Sequence, residues 1–142
     1  MRILGLDIGD RRIGAALSDP TGILASPHSI IERTADEKAI EGILKIIAEK
    51  EVGRIVAGLP CSMDGSIGHQ AEKVKAFTEQ LRQRTSVPIE YRDERLTTVT
   101  AMRLKQEAST RRLDRKTRYD AMAAAIILQE YLDEKPAKEY QI

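Results

Sequence analysis

The amino-acid sequence predicts one α/β domain built on a mixed five-stranded sheet, in which three antiparallel strands precede two parallel strands and helices flank the sheet. Three observations predict this class. Three short apolar runs, joined by short turns, occupy the first 31 residues. The apolar residues then recur at the spacing of an amphipathic helix, and strand-like segments alternate with helix-like ones. The chain of 142 residues, 42% hydrophobic and 32% charged, suits a single globular core.

The first three strands are predicted at residues 2–9, 13–18 and 23–31, where apolar residues are closely spaced. The connection after residue 9 and the turn Asp19–Gly22 are too short for a crossover, so these strands must be antiparallel. Pro27 has no N–H group to donate, and we expect it to interrupt the hydrogen-bonding ladder of the third strand.

The two parallel strands are predicted from the middle of the chain. A helix over residues 35–51 precedes a strand at 54–58, and a helix over 69–84 precedes a strand at 87–92. A loop at residues 60–68 leads into the second helix. Strands connected through helices are parallel and their crossovers are right-handed, so these two strands extend the same sheet.

The C-terminal part is predicted to hold two more helices. Thr97 is a suitable N-cap for the first, and residues 108–116 are polar and basic, as expected of a mobile loop. The last helix is predicted over residues 116–133, and its apolar stretch from Ala121 to Leu128 indicates burial. We assign residues 1–135 to one domain and residues 136–142 to a C-terminal tail.

Composition excludes several functional classes. A single cysteine, Cys61, excludes an internal disulfide, and the two separated histidines, His28 and His69, match no zinc motif. With no Trp, one Phe and four Tyr, the chain has few rings on which single-stranded bases could stack. It has no apolar run that could cross a membrane and no signal-peptide pattern, so we expect a cytoplasmic protein. The net charge of +1 limits nucleic-acid contact to a local patch.

Three carboxylates are predicted to converge on one site. Asp7 lies inside the apolar first strand, where an ionised acid needs a partner because burial removes its hydration. Glu94 follows the fifth strand, and chemistry in open sheets lies beyond the carboxyl ends of parallel strands. Asp120 begins the apolar stripe of the last helix, which directs it along the sheet edge.

Structural roles are open alternatives for each acid. Asp7 could be an ordinary structural acid, Glu94 could form a salt bridge with Arg92 or Arg95, and Asp93 could take the place of Glu94. The third acid, near the start of its helix, could simply complement the helix dipole.

Converging carboxylates repel one another unless cations lie between them, and hard cations such as Mg²⁺ or Mn²⁺ prefer oxygen ligands. Two such ions about 3.5–4 Å apart can activate a water molecule and stabilise the leaving oxygen of a phosphodiester. We therefore predict Asp7, Glu94 and Asp120 as both catalytic and metal-binding residues. Gly9, which has no side chain, would let a phosphate backbone approach closely.

A basic segment precedes the last acid. Residues 103–118 contain seven Lys or Arg and two Asp or Glu, a local net charge of +5. This charge predicts contact with a phosphate backbone, and a solvated loop is the open alternative. The predicted nucleic-acid-binding residues are Gly9, Arg12, Arg95, Arg111, Arg112, Arg115 and Lys116.

Several different short motifs lie along nearly the whole chain, each occurring once. They are Gly5-Leu6-Asp7-Ile8-Gly9, Arg12-Ile13-Gly14, Ser18-Asp19, Gly58-Leu59-Pro60, Met63-Asp64-Gly65, Asp93-Glu94-Arg95-Leu96-Thr97-Thr98 and Asp120-Ala121. Through these motifs the chain resembles the YqgF/RuvX family of RNase H-like nucleases. Tyr119 departs from the aliphatic residue that is more usual before the last acid, which affects only local packing.

The resemblance implies an RNase H-like fold and metal-dependent cleavage of structured nucleic acid. It implies processing of the 5′ end of pre-16S rRNA in ribosome biogenesis, with Holliday junction resolution in DNA recombination or repair as the alternative. Asp7, Glu94 and Asp120 match the family's catalytic acids.

Two further classes are weighed against this one. A domain that binds structured nucleic acid without cutting it would not need all three acids. A sugar-kinase or actin-like ATPase shares the Asp-x-Gly pattern of residues 7–9 but requires two such domains. No distinct interface stripe is recognisable, so a monomer and a homodimer are both open.

Overall fold

The computed structural model describes the backbone of residues 1–60, 68–94 and 113–139, and the side chains of residues 1–60, 68–94 and 121–134. The helix predicted after Thr97 and residues 61–67 of the predicted loop lie outside the described residues. The elements are β1 (Arg2–Ile8), β2 (Arg12–Ser18), β3 (Ala25–Glu32), α1 (Asp36–Lys50), β4 (Val52–Leu59), α2 (His69–Arg82), β5 (Ile89–Asp93) and α3 (Leu113–Glu139).

The strands form one sheet in the order β3-β2-β1-β4-β5. β2 pairs antiparallel with β1 and with β3, whereas β4 pairs parallel with β1 and with β5. The predicted mixed sheet of three antiparallel and two parallel strands is therefore confirmed. β1 lies at its centre and has a hydrogen-bonded strand on each side, which explains why a short apolar sequence forms it.

The sheet is covered on both faces, so the described elements form three layers. Leu4, Leu6 and Ile8 of β1 belong to the apolar cluster that includes residues of α1 and α2. Ala16 of β2 and Val56 of β4 belong to a second cluster with the apolar residues of α3. Because side chains alternate between the faces of a strand, the odd-numbered residues of β1 face α3.

β3 begins at Ala25, not at residue 23 as predicted, because Asp19 holds the preceding residues in a turn. The Oδ1 atom of Asp19 accepts hydrogen bonds from the N–H groups of Ile23 and Leu24, at 2.8 and 2.9 Å. Hydrogen bonds from the Thr21 hydroxyl and from these backbone groups lower the pKa of Asp19 below its usual value.

Pro27 lies within β3, and the predicted interruption takes the form of a register shift. Ser29 pairs with Ala15, whereas Pro27 pairs with Ala16, so one residue of β3 is bulged. β4 and β5 also differ from their predicted bounds: β4 is longer at both ends, and β5 both starts and ends later than predicted.

α3 is longer than predicted at both ends. It begins at Leu113, so the last part of the predicted loop at 108–116 is helical, and it continues to Glu139 instead of ending at residue 133. The Arg and Lys residues of its first turns favour helix, whereas Pro136, near its C-terminal end, disfavours it. Part of the segment assigned to a tail is thus helical, and the division into residues 1–135 and 136–142 stays a prediction. Among the described helices, none is both long and apolar enough to cross a membrane.

Candidate active site

Asp7 is buried near the carboxyl end of the central strand. Its residue is 7% exposed. A Cβ atom added to Gly5, two residues earlier, would lie 2.8 Å from Cβ of Leu128 in α3, so this face of β1 lies directly under α3. Asp7 shares that face because side chains alternate. Its antiparallel partner in β2 is Gly14, which places no side chain beside the carboxylate.

Glu94 follows β5 directly and is 4% exposed. Its carboxylate lies against Gly58 of β4: a Cβ atom at Gly58 would be 2.9 Å from Oε2 of Glu94 and 2.7 Å from Cδ1 of Ile127. The side chain of Glu94 therefore extends over β4, between the sheet and α3. Because Asp7 also lies on the α3 face, the structure brings both acids to the same layer.

The strand registers place Gly58 beside Asp7, and the carboxylate of Glu94 reaches Gly58 from the end of β5. Leu6 of β1 pairs with Ala57 of β4, so Asp7 and Gly58 occupy the next positions along these parallel strands. Adjacent strands lie about 4.8 Å apart, and Glu94 lies two residues, or about 6.6 Å, beyond Arg92, the partner of Gly58 in β5, so the backbones of Asp7 and Glu94 are roughly 12 Å apart. The longer glutamate side chain crosses part of that gap above Gly58.

Asp93, the sequence alternative to Glu94, belongs to the opposite face. It pairs in register with Leu59, which packs in the cluster of α1 and α2. Tyr91, two residues earlier on the same face, forms a hydrogen bond with the Thr78 hydroxyl of α2. Alternation along β5 thus directs Glu94, and not Asp93, toward α3.

Arg92 was the other sequence alternative, as a salt-bridge partner of Glu94. Its guanidinium binds two acids of α3: Nη2 lies 3.5 Å from Oε2 of Glu130, and Nη1 binds the carboxylate of Glu134. Arg92 therefore fastens α3 to β5.

α3 runs antiparallel to β1, with its N-terminal part toward Asp7. Leu128 lies against Gly5. Further along the helix, the hydroxyl of Tyr131 accepts a hydrogen bond of 3.0 Å from Arg54, which pairs with Ile3 at the start of β1. Decreasing residue numbers in α3 therefore correspond to increasing numbers in β1.

Along this direction the backbone of residue 120 lies beyond Ala124, toward the carboxyl end of β1. The carbonyl oxygen of Ala124 would lie 3.1 Å from a Cβ at Gly5. Asp120 precedes Ala124 by four residues, or about 6 Å along a helix, and Asp7 follows Gly5 by two residues, or about 6.6 Å along a strand. The side chain of Asp120 lies outside the described part.

The turn after Asp7 is held by Arg33, which the sequence did not single out. Nη1 of Arg33 donates a hydrogen bond of 2.8 Å to the carbonyl of Gly9, and Nε binds Asp36 at 2.8 Å. The guanidinium lies 4.7 Å from the ring centre of Phe77 in α2. The hydrogen bond from Arg33 holds the pKa of Asp36 below its usual value.

Gly9 has an intramolecular reason to be glycine. Its N–H donates a hydrogen bond of 2.9 Å to the carbonyl of Arg12, and a Cβ atom would lie only 2.8 Å from that oxygen. The close turn between β1 and β2 therefore excludes a side chain there. The predicted contact of Gly9 with a phosphate backbone stays a prediction.

The structure describes some of the predicted basic residues in full, some by their backbone alone and others not at all. Arg12 begins β2 and shares the face of Gly14 and Ala16, which is also the face of Asp7. The backbones of Arg115 and Lys116 lie in the first turns of α3. Outside the described residues lie Arg95, Arg111 and Arg112.

The donor set fits a hard divalent cation. Asp7 and Glu94 supply carboxylate oxygens in a buried layer, where a bound cation would offset the cost of desolvating two acids. In the described side chains, no group of three Asp, Glu, His or Cys residues could by itself hold a metal ion. The third predicted ligand, Asp120, belongs to the part of α3 whose side chains are not described.

Gly58 and Ile127 are the site residues that sequence reasoning missed. A signal for Gly58 was present, because glycine inside a strand often marks a place where another group approaches closely. Ile127 carried no signal that distinguished it from the other apolar residues of α3.

Comparison with known families adds to this geometry. The model of the family described as "RuvX: Holliday junction resolvase" matches residues 1–134. The chain belongs to the RuvX family. A relative from Thermoanaerobacter pseudethanolicus, named "Putative pre-16S rRNA nuclease", is 48% identical over 139 residues, which are 97% of this chain and 100% of the relative. The predicted family and the predicted enzyme class, a hydrolase of phosphodiester bonds, are confirmed.

Solved structures agree on the fold. RuvC of T. thermophilus, solved with a Holliday junction substrate, has a TM-score of 0.56 and 11% identity, with 96% of each chain covered. The Holliday junction resolvase of fowlpox virus has a TM-score of 0.54 and 14% identity, covering 94% of this chain and 99% of that one. The RNase H-like fold that the RuvX resemblance implied is confirmed.

Proposed function

We propose that this RuvX-family nuclease cleaves phosphodiester bonds in structured nucleic acid with a cation pair, Mg²⁺ or Mn²⁺, held by Asp7, Glu94 and Asp120. One observation carries the proposal. Two carboxylates, 7% and 4% exposed, lie in the layer between the sheet and α3, and the carboxylate of Glu94 reaches over Gly58. When bound, two such cations supply an activated water and stabilise the leaving oxygen.

The chain's own residues supply rigid ligands. Asp7 lies on β1, which has a hydrogen-bonded strand on each side, and the turn after it is held by Arg33 through the carbonyl of Gly9. The carboxylate of Glu94 is buried against Gly58, where Cδ1 of Ile127 also lies. Asp120, whose backbone lies beyond Ala124 toward the carboxyl end of β1, would complete the site from α3. Because these ligands need little reorganisation during the reaction, they stabilise the transition state more than mobile ligands would.

The preferred substrate is the 5′ end of pre-16S rRNA. The names of relatives 46–48% identical, which span nearly the whole chain, support this choice. Arg12, Arg95, Arg111, Arg112, Arg115 and Lys116 would bind the phosphate backbone, with Gly9 allowing close approach. An enzyme acting on a ribosomal RNA precursor would work in the cytoplasm.

The second candidate substrate is a four-way DNA junction. The description of the matching family supports it, and the same three acids could cleave the phosphodiester bonds of DNA. A junction has two-fold symmetry and needs two cuts, so this function requires a homodimer, whereas trimming one RNA end can be done by a monomer. Oligomeric state measured with each substrate bound would separate the two cases.

The test is a cleavage assay on purified protein. Pre-16S rRNA and a four-way junction are each incubated with Mg²⁺, Mn²⁺ or a chelator. We expect cleavage of the RNA only with metal, and a fall of about 100-fold or more for Asp7→Asn and Glu94→Gln. Glu41→Gln is the matched control, because Glu41 is an exposed acid of α1, on the opposite face of the sheet.

Undiminished cleavage by Asp7→Asn, or full cleavage in chelator, would disprove the mechanism. Cleavage of the junction alone would move the assignment to the second substrate. Tight binding of both substrates without cleavage in any metal would instead support a binding module.

A further inference from the structure

Gly58 lies where β4 passes beneath the carboxylate of Glu94. A Cβ atom at this position would lie 2.9 Å from Oε2 and 3.3 Å from Cδ of Glu94, and 2.7 Å from Cδ1 of Ile127. Non-bonded carbon atoms prefer about 3.5–4.0 Å, so the volume of one methyl group is already filled by these two side chains. Neither the backbone of β4 nor a positive φ angle requires glycine here.

We propose that Gly58 is a positioning residue: the missing side chain creates the space through which Glu94 reaches over β4 toward Asp7. This inference rests on the proposed metal site. Gly58, which has no functional group, would set the distance between Asp7 and Glu94. That distance determines whether the two acids can bind the same cations.

Because Glu94 is buried, its carboxylate depends on the space above Gly58. The residue is only 4% exposed, so its carboxylate has few other directions open to it inside the protein. A methyl group on Gly58 would push the carboxylate away from β4, toward α3 or out beyond the strand end. A displacement of about 1 Å is large for metal ligands, whose distances vary by only about 0.2 Å.

The same geometry predicts that Gly58→Ala still folds. Both groups that the new methyl would meet are ends of flexible side chains, Oε2 of Glu94 and Cδ1 of Ile127. Gly5, on the same face of β1, differs: a Cβ there would meet Cβ of Leu128 and the backbone carbonyl of Ala124, so α3 itself would have to move. Gly58→Ala should therefore affect the acid more than the fold.

The experiment measures Mn²⁺ binding and not only cleavage. Full-length wild type, Gly58→Ala and Glu94→Gln are titrated with Mn²⁺ and free Mn²⁺ is followed by electron paramagnetic resonance. We expect Gly58→Ala to raise the Kd for Mn²⁺ by about 10- to 100-fold, the range seen when groups that orient metal ligands are altered. Its melting temperature without metal should change by no more than a few degrees.

Gly42→Ala is the matched control. Gly42 lies in α1, and a Cβ there would make only ordinary contacts with Ile31, the nearest at 3.6 Å, so Mn²⁺ binding should not change. A double variant, Gly58→Ala with Ile127→Val, removes the Cδ1 atom that the new methyl would meet. Mn²⁺ binding should remain weak in this double variant, because the contact with Glu94 persists.

The outcomes separate the two ideas. If Glu94→Gln weakens Mn²⁺ binding and Gly58→Ala does not, the role of Gly58 is wrong and the proposed function stands. If Ile127→Val restores wild-type binding, displacement of α3 explains the loss, and the role of Gly58 is again wrong. If Glu94→Gln itself leaves Mn²⁺ binding unchanged, the proposed metal site is wrong and the inference falls with it.

Discussion

Arg33 joins three elements through one side chain. Its guanidinium, 13% exposed, binds Asp36 at the start of α1, the carbonyl of Gly9 after β1, and the ring of Phe77 in α2. The backbone N–H of the same residue donates to the carbonyl of Arg11 at 2.9 Å. The turn that follows Asp7 is thus attached to the α1 and α2 layer, on the side of the sheet opposite α3.

The Arg33–Asp36 pair predicts a pH dependence of stability. Because Arg33 lowers the pKa of Asp36 in the folded protein, its contribution is present above the unfolded pKa of about 3.9 and disappears as pH falls through the lower folded value. We expect Asp36→Asn to lower the free energy of unfolding by about 0.5–1 kcal/mol at pH 7, a modest value because solvent screens the partly exposed carboxylate.

Urea denaturation of wild type and Asp36→Asn at pH 7, 5 and 3 measures this dependence. The difference between the two proteins should be present at pH 7 and 5 and should shrink below pH 4. Glu37→Gln, in the same first turn of α1, is the control for the helix dipole. An equal effect of both substitutions would show that the dipole, and not Arg33, is responsible.

At the scale of elements, α3 connects the parallel and antiparallel halves of the sheet. It packs against β1, β2 and β3 and reaches β4. At β5, Arg92 binds Glu130 and Glu134. The hydroxyl of Tyr131 donates a hydrogen bond of 2.5 Å to Glu90. At β3, Gln129 accepts a hydrogen bond of 2.8 Å from the N–H of Ala25. These contacts fix where α3 lies along the sheet, and hence the level of residue 120.

The packing of α3 predicts unequal effects of two substitutions on the same helix. Leu128 is fully buried against Gly5, so Leu128→Ala should lower the free energy of unfolding by about 2–5 kcal/mol through lost contacts and a cavity. Met122 is 46% exposed, so Met122→Ala should change it by no more than about 0.5 kcal/mol. Chemical denaturation measures both, and similar losses would contradict the described orientation of α3.

Prediction from the sequence worked well for elements and less well for their ends. The succession of strands and helices, and the antiparallel or parallel direction of each strand, followed from hydrophobic spacing and from connection length, both of which are local. The start of β3 was wrong because one side chain, Asp19, captured two backbone N–H groups that the strand would otherwise have used. The predicted ends of α3 were wrong because its charged terminal residues are typical of a loop and a C-terminal tail.

At the scale of the whole molecule, the excess positive charge is concentrated in one segment. The net charge is +1, but residues 103–118 carry seven basic and two acidic residues. If this segment binds the phosphate backbone, affinity for nucleic acid should fall steeply with salt. Arg111→Gln with Arg112→Gln should reduce the slope of log affinity against log salt concentration by about 2, or about 1 for each lost phosphate contact.

Filter binding or fluorescence anisotropy, measured from about 50 to 300 mM salt, tests this prediction. Lys38→Gln with Lys45→Gln removes the same charge from exposed positions of α1 and should leave the slope unchanged. If both pairs reduce the slope equally, total charge governs binding, and the basic segment has no special role.

The sequence by itself determined the mixed sheet, the family and the acids proposed for the site, because strand period, turn length and motif order are all written locally in the chain. Only the tertiary structure decided that Glu94 and not Asp93 faces α3, that Gly9 is required by its own turn, and that Arg33 holds that turn. It also located the carboxylate of Glu94 above Gly58. The physical reason is that these features depend on contacts between residues far apart in sequence, whose distances no local pattern encodes.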